Sequence, residues 1–343
     1  MSKIEVKKVS KVFGAYPKSI VPLLNGDLSK SDIQAQHNHV VGLRNVSLDM
    51  AEGKVHVIMG LSGSGKSTLI RHFNRLIDPT SGAIIIDGQD ILSLSPRELQ
   101  HLRQTKISMV FQNFGLMPHR TVLDNVAYGL EVRGDARNAR EDSVRKWISK
   151  VGLQGYEGSY PHELSGGMQQ RVGLARGLAT NPDILLMDEA FSALDPLIRS
   201  DMQTVLLDLQ RELNKTIIFI THDLDEALAI GDRIAILQDG ELVQVGSPQE
   251  IILQPANDYI QRFVANVNRG RALRVAAIMK TPNGAVPHAS DLRRSDTLEL
   301  ALSKVVGAKG PVSVLDDATH ELCGTVTAQQ IVAAISGQLG GKP

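Results

Sequence analysis

Residues 60–67 read Gly-Leu-Ser-Gly-Ser-Gly-Lys-Ser, lying between the apolar run Val55-His56-Val57-Ile58-Met59 and Thr68-Leu69-Ile70-Arg71, where a helical pattern opens. A strand, a glycine-rich turn and a helix are the context in which such an octapeptide holds a phosphate. Gly60, Gly63 and Gly65 permit backbone angles closed to other residues, so successive N–H groups can turn inward at a helix N-terminus. Ser62, Ser64 and Thr68 complete the cradle. Lys66 is placed to reach the β- and γ-phosphates of a nucleotide, and Ser67 to put its hydroxyl on Mg²⁺.

Outward from this loop, short apolar runs alternate with helical patterns up to about residue 246: Ala83–Ile86, Ile184–Met187, Thr216–Ile220 and Ile234–Leu237. That alternation predicts an α/β fold with a mostly parallel sheet and crossover helices. Residues 4–13 and 43–50 read as strands, and the polar, proline-containing stretch 15–41 between them reads as an insertion. A helical segment near 247–266 leads to a break at Asn268-Arg269-Gly270-Arg271. A smaller unit with its own strand, helix and strand follows, with turn signals at Pro282-Asn283-Gly284 and Gly310-Pro311. The second chemical element is Asp188-Glu189, which closes the apolar strand 184–187. A strand buried on both faces tolerates carboxylates only at its end, where such sheets bind nucleotides. Asp188 can orient water around Mg²⁺, and Glu189 can take a proton from the water attacking the γ-phosphate.

Lys+Arg and Asp+Glu both number 37, so the formal net charge of the 343 residues is zero and there is no electrostatic footprint for nonspecific nucleic-acid binding. Cys323, the single cysteine, excludes an intrachain disulfide and a cysteine-rich metal site, and reads as an ordinary buried small residue in a reducing compartment. The N-terminal residues have lysines but no apolar secretory core, which argues against secretion. No stretch approaches the roughly 18–20 apolar residues of a membrane span, so membrane association is expected through a partner. Trp147, with Ile148 and Val151, reads as packing; His119 and His162 lie in loops without a catalytic role; residues 90–103 read as a solvated helical face.

Leu164-Ser165-Gly166-Gly167-Met168-Gln169-Gln170-Arg171 resembles the signature sequence of ATP-binding-cassette (ABC) ATPases. Ser165 with the N–H groups of Gly166 and Gly167 at a helix N-terminus forms an anion site. The resemblance implies a P-loop NTPase fold of the ABC type over residues 1–267, with a RecA-like core, a β-subdomain and an α-helical signature subdomain. It implies ATP and Mg²⁺ as cofactors, and a head-to-tail dimer in which residues 165–167 of one copy meet the γ-phosphate on the other. Gln112 resembles the Q-loop glutamine, which touches Mg²⁺ or the attacking water and relays occupancy to a membrane partner. His222 resembles the switch histidine that positions the water with Glu189, and Ser192–Asp195 resembles the D-loop that crosses the dimer interface. The metal set implied is therefore Ser67, Gln112 and Asp188. An aromatic residue stacks on adenine in this family; Phe13 occupies the expected place, and Tyr16 is its competitor.

The segment Gln112–Asp124, the run 187–199 with Ala190 and Pro196-Leu197-Ile198-Arg199, and the 15–41 insertion resemble the ATPase subunits of glycine betaine, proline and choline importers. This implies a permease partner, indirect work with an extracytoplasmic substrate-binding protein, and a place at the cytoplasmic face of the inner membrane. None of these residues touches the solute. An importer ATPase for another small polar solute, such as an amino acid, is the near alternative. A soluble cassette ATPase acting on nucleic acid or ribosomes is the distant one, although the paired cassettes or coiled-coil insertion usual there are missing. Residues 268–343 resemble a single CBS module, through 295–302, 310–316 and 322–327, which implies either regulation by ionic strength or a ligand, or a dimer-stabilising appendage.

Overall fold

The computed structural model describes residues 2–112, 114–282, 292–308 and 310–337. They form two compact units: the chain to Asp223 with Ala235–Val243, and Leu224–Ile234 with the chain from Gln244 onward.

In the first unit, β1 (Ser2–Phe13) pairs antiparallel with β2 (Val40–Ala51), each burying alternate residues. The insertion between them folds as a 3₁₀ segment, Pro17–Asn25, and α1 (Lys30–His37), which Ser29 and Asp32 cap reciprocally. Ile20, Leu24 and Ile33 turn inward on Val12 and Val41, so this polar stretch has a small core of its own. Arg44 of β2 holds the segment down by donating to the carbonyls of Leu24 (2.7 Å), Leu28 (2.9 Å) and Gly26.

β3 (Val55–Met59) runs into the phosphate loop and α2 (Lys66–Phe73). β4 (Ser81–Ile86) and β5 (Gln89–Asp90) then complete an antiparallel sheet in the order β2-β1-β4-β5. The run Ala83–Ile86 therefore does not belong to the parallel sheet, as its composition suggested. Only Ile84 and Ile86 of β4 are buried, the alternation of a half-covered antiparallel strand. The helix α3 (Pro96–Thr105) buries none of its residues, in line with the solvated face expected there.

The second sheet has the order β10-β9-β3-β8-β7-β6, from β6 (Ile107–Val110), β7 (Ile184–Asp188), β8 (Thr216–Thr221), β9 (Arg233–Gln238) and β10 (Glu241–Gly246). Every residue of β3, β7 and β8 is buried, because neighbours pair on both edges and helices cover both faces. The pairs β3–β8, β8–β7 and β7–β6 are parallel, with Met59 opposite Thr221, Asp188 opposite Ile220 and Val110 opposite Met187. This register brings four chain exits to one end of the sheet: the phosphate loop, Glu189, His222 and the segment leading to Gln112. Three helices, α4 (Val122–Arg133), α5 (Arg137–Lys150) and α6 (Gly166–Ala179), pack on one another through Val126, Leu130, Val144, Trp147, Ile148 and Val172. Trp147 is a packing residue, as its spacing suggests. The long α7 (Pro196–Leu213) connects β7 to β8.

The second unit contains α8 (Leu224–Ile230), α9 (Pro248–Leu253), α10 (Asp258–Val264), α11 (Arg269–Ala272), α12 (Leu298–Val305), the antiparallel pair β11 (Val312–Leu315) and β12 (Leu322–Val326), and α13 (Ala328–Ile335). Leu273, Val275, Leu298, Val305, Val314, Val326 and Ile331 share its core. The expected break at 268–271 is instead the short helix α11, which forms because the Asn268 side chain accepts from the Arg271 N–H. Cys323 is half-buried rather than buried, its thiol donating to the Val314 carbonyl at 3.4 Å. Of the turn signals, Gly310-Pro311 leads into β11, while Asn283-Gly284 lie outside the described residues. Among the described residues no helix is long and apolar enough to cross a membrane.

Ile33 is fully buried in the insertion's core. Ile33→Ala should lower the stability of the first unit by about 2–5 kcal/mol, read from the shift of its urea midpoint. An unchanged midpoint would mean that the insertion is not packed on β1 and β2.

Candidate active site

The phosphate loop is shaped by glycines that have no room for anything larger. Gly60 lies at φ +152°, and a Cβ there would stand 2.2 Å from the Leu237 carbonyl oxygen. Gly65 lies at φ +100°, and its Cβ would meet the Gly42 carbonyl oxygen at 2.6 Å. Gly65 then becomes the N-cap of α2 without a side-chain capping bond, which leaves the first N–H groups of that helix for an incoming anion. The Ser64 hydroxyl is buried among these groups with no hydrogen-bond partner.

Lys66 is buried and folds back over its own loop, donating to the carbonyls of Gly60 at 2.9 Å and Leu61 at 3.1 Å. Its ammonium is 3.7 Å from Glu189 Oε1. Burial pushes the Lys66 pKa below the ordinary lysine value, against the pull of Glu189 and Asp188. An ammonium held this way is an underfilled cation for which polyphosphate oxygens are better partners than two carbonyls.

The acidic strand end completes the site. Asp188 is buried and accepts from the Ser67 hydroxyl at 2.8 Å and from Arg71 Nη2 at 3.3 Å. Glu189 holds a left-handed backbone, φ +47°, unusual for a residue with a long side chain and maintained here by its N–H donating to Ile220 O at 3.2 Å. Its carboxylate Oε2 lies 3.3 Å from His222 Nδ1 and 3.5 Å from Gln112 Nε2. Gln112 Nε2 is also 3.4 Å from the Ser192 hydroxyl. Lys66, Gln112 and His222 thus converge on one carboxylate, a group positioned to accept a proton from a water at the phosphate seat.

No cluster of three or more His, Cys, Asp or Glu side chains suited to a metal occurs among the described residues. The adjacent Ser67 hydroxyl and Asp188 carboxylate are hard oxygen donors. They fit a small divalent cation that keeps several waters and takes its other ligands from substrate phosphates.

A cavity of about 600 Å³ opens over the loop, lined by Phe13, Lys30, Gln34, Val40–Gly42, Ser62, Gly63, Gly65–Thr68, Glu189 and Asp239. Phe13 lines it with its ring partly exposed, whereas Tyr16 stands in solvent and does not. Ser165, Gly166 and Gly167 are not in its wall. Ser165 caps α6 by accepting from the Met168 N–H at 3.3 Å, and a Cβ at Gly167 would press within 2.5 Å of Ile198, so this glycine serves close packing as well.

The ABC transporter family matches residues 43–192. The glycine betaine/carnitine transport ATP-binding protein GbuA of Listeria monocytogenes is 55% identical over 282 residues, spanning 82% of this chain and 71% of the relative. The chain belongs to the ABC transporter family. The glycine betaine transport ATP-binding protein OpuAA of Bacillus subtilis is 48% identical over 98% of this chain and 79% of its own length. Among solved structures, the dimeric post-hydrolysis state of the ATP-binding cassette MJ0796, bound to ADP and Pi, superposes with a TM-score of 0.60 at 33% identity, covering 71% of this chain and 98% of that one. This ABC chain thus shares the cassette fold.

Three functional candidates escaped the motif reading. Arg71 is an ordinary helix residue until the fold sets it against Asp188, while Ser192, the first residue of the expected D-loop, meets Gln112 within its own chain. Lys30 and Gln34 come from the insertion, and their only signal is a four-residue spacing on one face of a capped helix.

Gly60→Ala should abolish ATP binding measured by equilibrium titration and destabilise the first unit by about 1–3 kcal/mol, since its Cβ has no room beside Leu237. Retained affinity would show that the loop relaxes around the methyl group.

Proposed function

We propose that the chain is the ATP-hydrolysing subunit that energises uptake of a compatible solute, glycine betaine, choline or proline betaine/proline, through a partner permease. The carrying observation is the convergence of Lys66, Gln112 and His222 on Glu189, beside the Ser67–Asp188 pair. It occurs in a chain 48–55% identical to ATP-binding subunits of glycine betaine systems. Two trimethylamine N-oxide transport ATP-binding proteins are 43% and 50% identical, so this trimethylated solute belongs in the same test set.

In this reading Phe13 stacks on adenine. The N–H groups of residues 60–68 hold the phosphates, and Lys66 leaves its two carbonyls for the β- and γ-phosphates. Glu189 takes the proton of a water as the water oxygen bonds to the γ-phosphorus and the bond to ADP breaks. His222 and Gln112 orient that carboxylate and the water. Ser67, Asp188 and Gln112 would hold Mg²⁺, which neutralises phosphate charge when bound. Residues 165–167 of a second copy complete the anion site, so turnover requires the head-to-tail pair.

The chain is peripheral to the membrane, at its cytoplasmic face, and acts indirectly with an extracytoplasmic substrate-binding protein. The domain division proposed is a nucleotide-binding domain over residues 1–267 and a CBS-like regulatory domain over 268–343.

Glu189→Gln should retain ATP binding and lose turnover by about 10²–10⁴-fold, whereas Lys66→Ala should lose binding itself. Near-normal hydrolysis by Glu189→Gln would remove Glu189 from the role of base. Chelation of Mg²⁺ should stop hydrolysis and be reversed by adding the ion back. With the permease reconstituted, glycine betaine, choline, proline betaine, proline and trimethylamine N-oxide should be compared as stimulators of ATPase activity across a range of salt. Stimulation by none of them would overturn the solute class while leaving the ATPase in place.

A further inference from the structure

The insertion at 15–41 separates two strands that could be joined by a short turn, yet it is tightly built. Ile20, Leu24 and Ile33 bury against Val12 and Val41, Arg44 ties down three of its carbonyls, and Ser29 with Asp32 caps α1. What this construction holds in place is one face of α1, and that face looks into the cavity over the phosphate loop. Lys30 and Gln34, four residues apart, both line it.

Two kinds of group share the cavity wall. Glu189, whose carboxylate meets His222 and Gln112, is the candidate for the place where a γ-phosphate would react. Phe13, Val40, Val41, Lys30 and Gln34 line the same cavity. The Lys30 side chain stands against the turn at Gly240, where a Cβ would come within 3.0 Å of its Cε and Nζ. Gly240 in turn abuts Gly65, the N-cap of α2, at 3.6 Å from the position of a Cβ there. The ammonium is therefore close to the loop. Burial pushes the Lys30 pKa below the ordinary lysine value, while Asp239 and Glu241 favour its charge through space. A second anion nearby would stabilise that charge further.

Resting on the ATP reading, we infer that the insertion is part of the nucleotide site: Lys30 contacts the α-phosphate and Gln34 the ribose or base of the bound nucleotide. The class of ligand is a nucleoside di- or triphosphate, and the contacts are to the part that ATP and ADP share. Lys66 and Glu189 act on the γ-phosphate; Lys30 and Gln34 act where nothing changes during hydrolysis, so their contribution is to affinity for both nucleotides.

The test is equilibrium titration of the full-length chain with Mg²⁺-ATP and with Mg²⁺-ADP. Lys30→Met, which keeps the apolar stem and removes the charge, should weaken both nucleotides alike by about tenfold. Lys30→Arg should restore most of the loss, and Gln34→Ala should weaken both to a smaller extent. The thermal midpoint of Lys30→Met without nucleotide should match that of the unmodified chain; if it falls, Lys30→Gln carries the same comparison. Unchanged affinity in Lys30→Met, or a loss confined to ATP, overturns the inference and leaves the ATP reading standing. An unmodified chain that binds neither nucleotide overturns the ATP reading itself, and the inference with it.

Discussion

The site depends on a close approach of backbones that only glycine allows. Gly60 passes under the Leu237 carbonyl, Gly65 passes the Gly42 carbonyl, and the Gly240 N–H donates to the Ser64 carbonyl at 3.0 Å while its own carbonyl accepts from Arg44 N at 2.8 Å. The loop between β3 and α2 is thus fixed from outside, by the β9–β10 turn and by β2, as well as by its own geometry. Its N–H groups are oriented before any anion arrives, so binding does not have to order them. A rigid cradle also explains how a buried hydroxyl such as Ser64 persists without a partner: the surrounding backbone cannot collapse onto it.

Electrostatics give the cradle its chemistry. Two neighbouring carboxylates at the end of a buried strand would repel each other if both faced one way. Asp188 turns to Ser67 and Arg71, while Glu189, bent by its left-handed backbone, turns to Lys66, His222 and Gln112. One acid is thereby committed to the Ser67 hydroxyl, and the other to an ammonium, an imidazole and an amide. The separation follows from one unusual φ angle at Glu189, the kind of strain that a packed scaffold maintains where function uses it. A second ionic network sits away from the site. Lys3, buried, meets Asp87 at 2.8 Å, Glu52 at 3.2 Å and Asp183 at 3.7 Å, and Lys106 meets Asp183 at 2.7 Å, fastening the start of β1 to the turn before β7.

Much of this was legible in the chain. The phosphate loop, the acidic strand end, the glutamine and histidine after apolar runs, and the signature at a helix start all announce themselves, because each is a short segment whose chemistry is local. The strand Ala83–Ile86 was misplaced because an apolar run does not say which sheet it joins; that choice is made by its partner β1. The supposed break at 268–271 is a capped helix, since the Asn268 side chain supplies a capping hydrogen bond to the Arg271 N–H. The stretch 15–41 reads as a polar insertion, and its own small core was not legible because its three inward residues, Ile20, Leu24 and Ile33, are too widely spaced to show a period.

Taken alone, the sequence determined which groups are suited to holding phosphate and which carboxylates end a buried strand, since glycine, lysine, serine and acidic residues in those spacings have few other uses. The tertiary structure decided which of them meet. The parallel register, with Met59 opposite Thr221 and Asp188 opposite Ile220, assembles a site from residues more than one hundred positions apart. It also excludes residues 165–167 from the cavity wall of their own chain and admits Lys30 and Gln34, which no motif marks. The physical reason is that chemistry is carried by side chains and can be read one residue at a time. Proximity is set by strand pairing and core packing, which depend on partners far away in the chain.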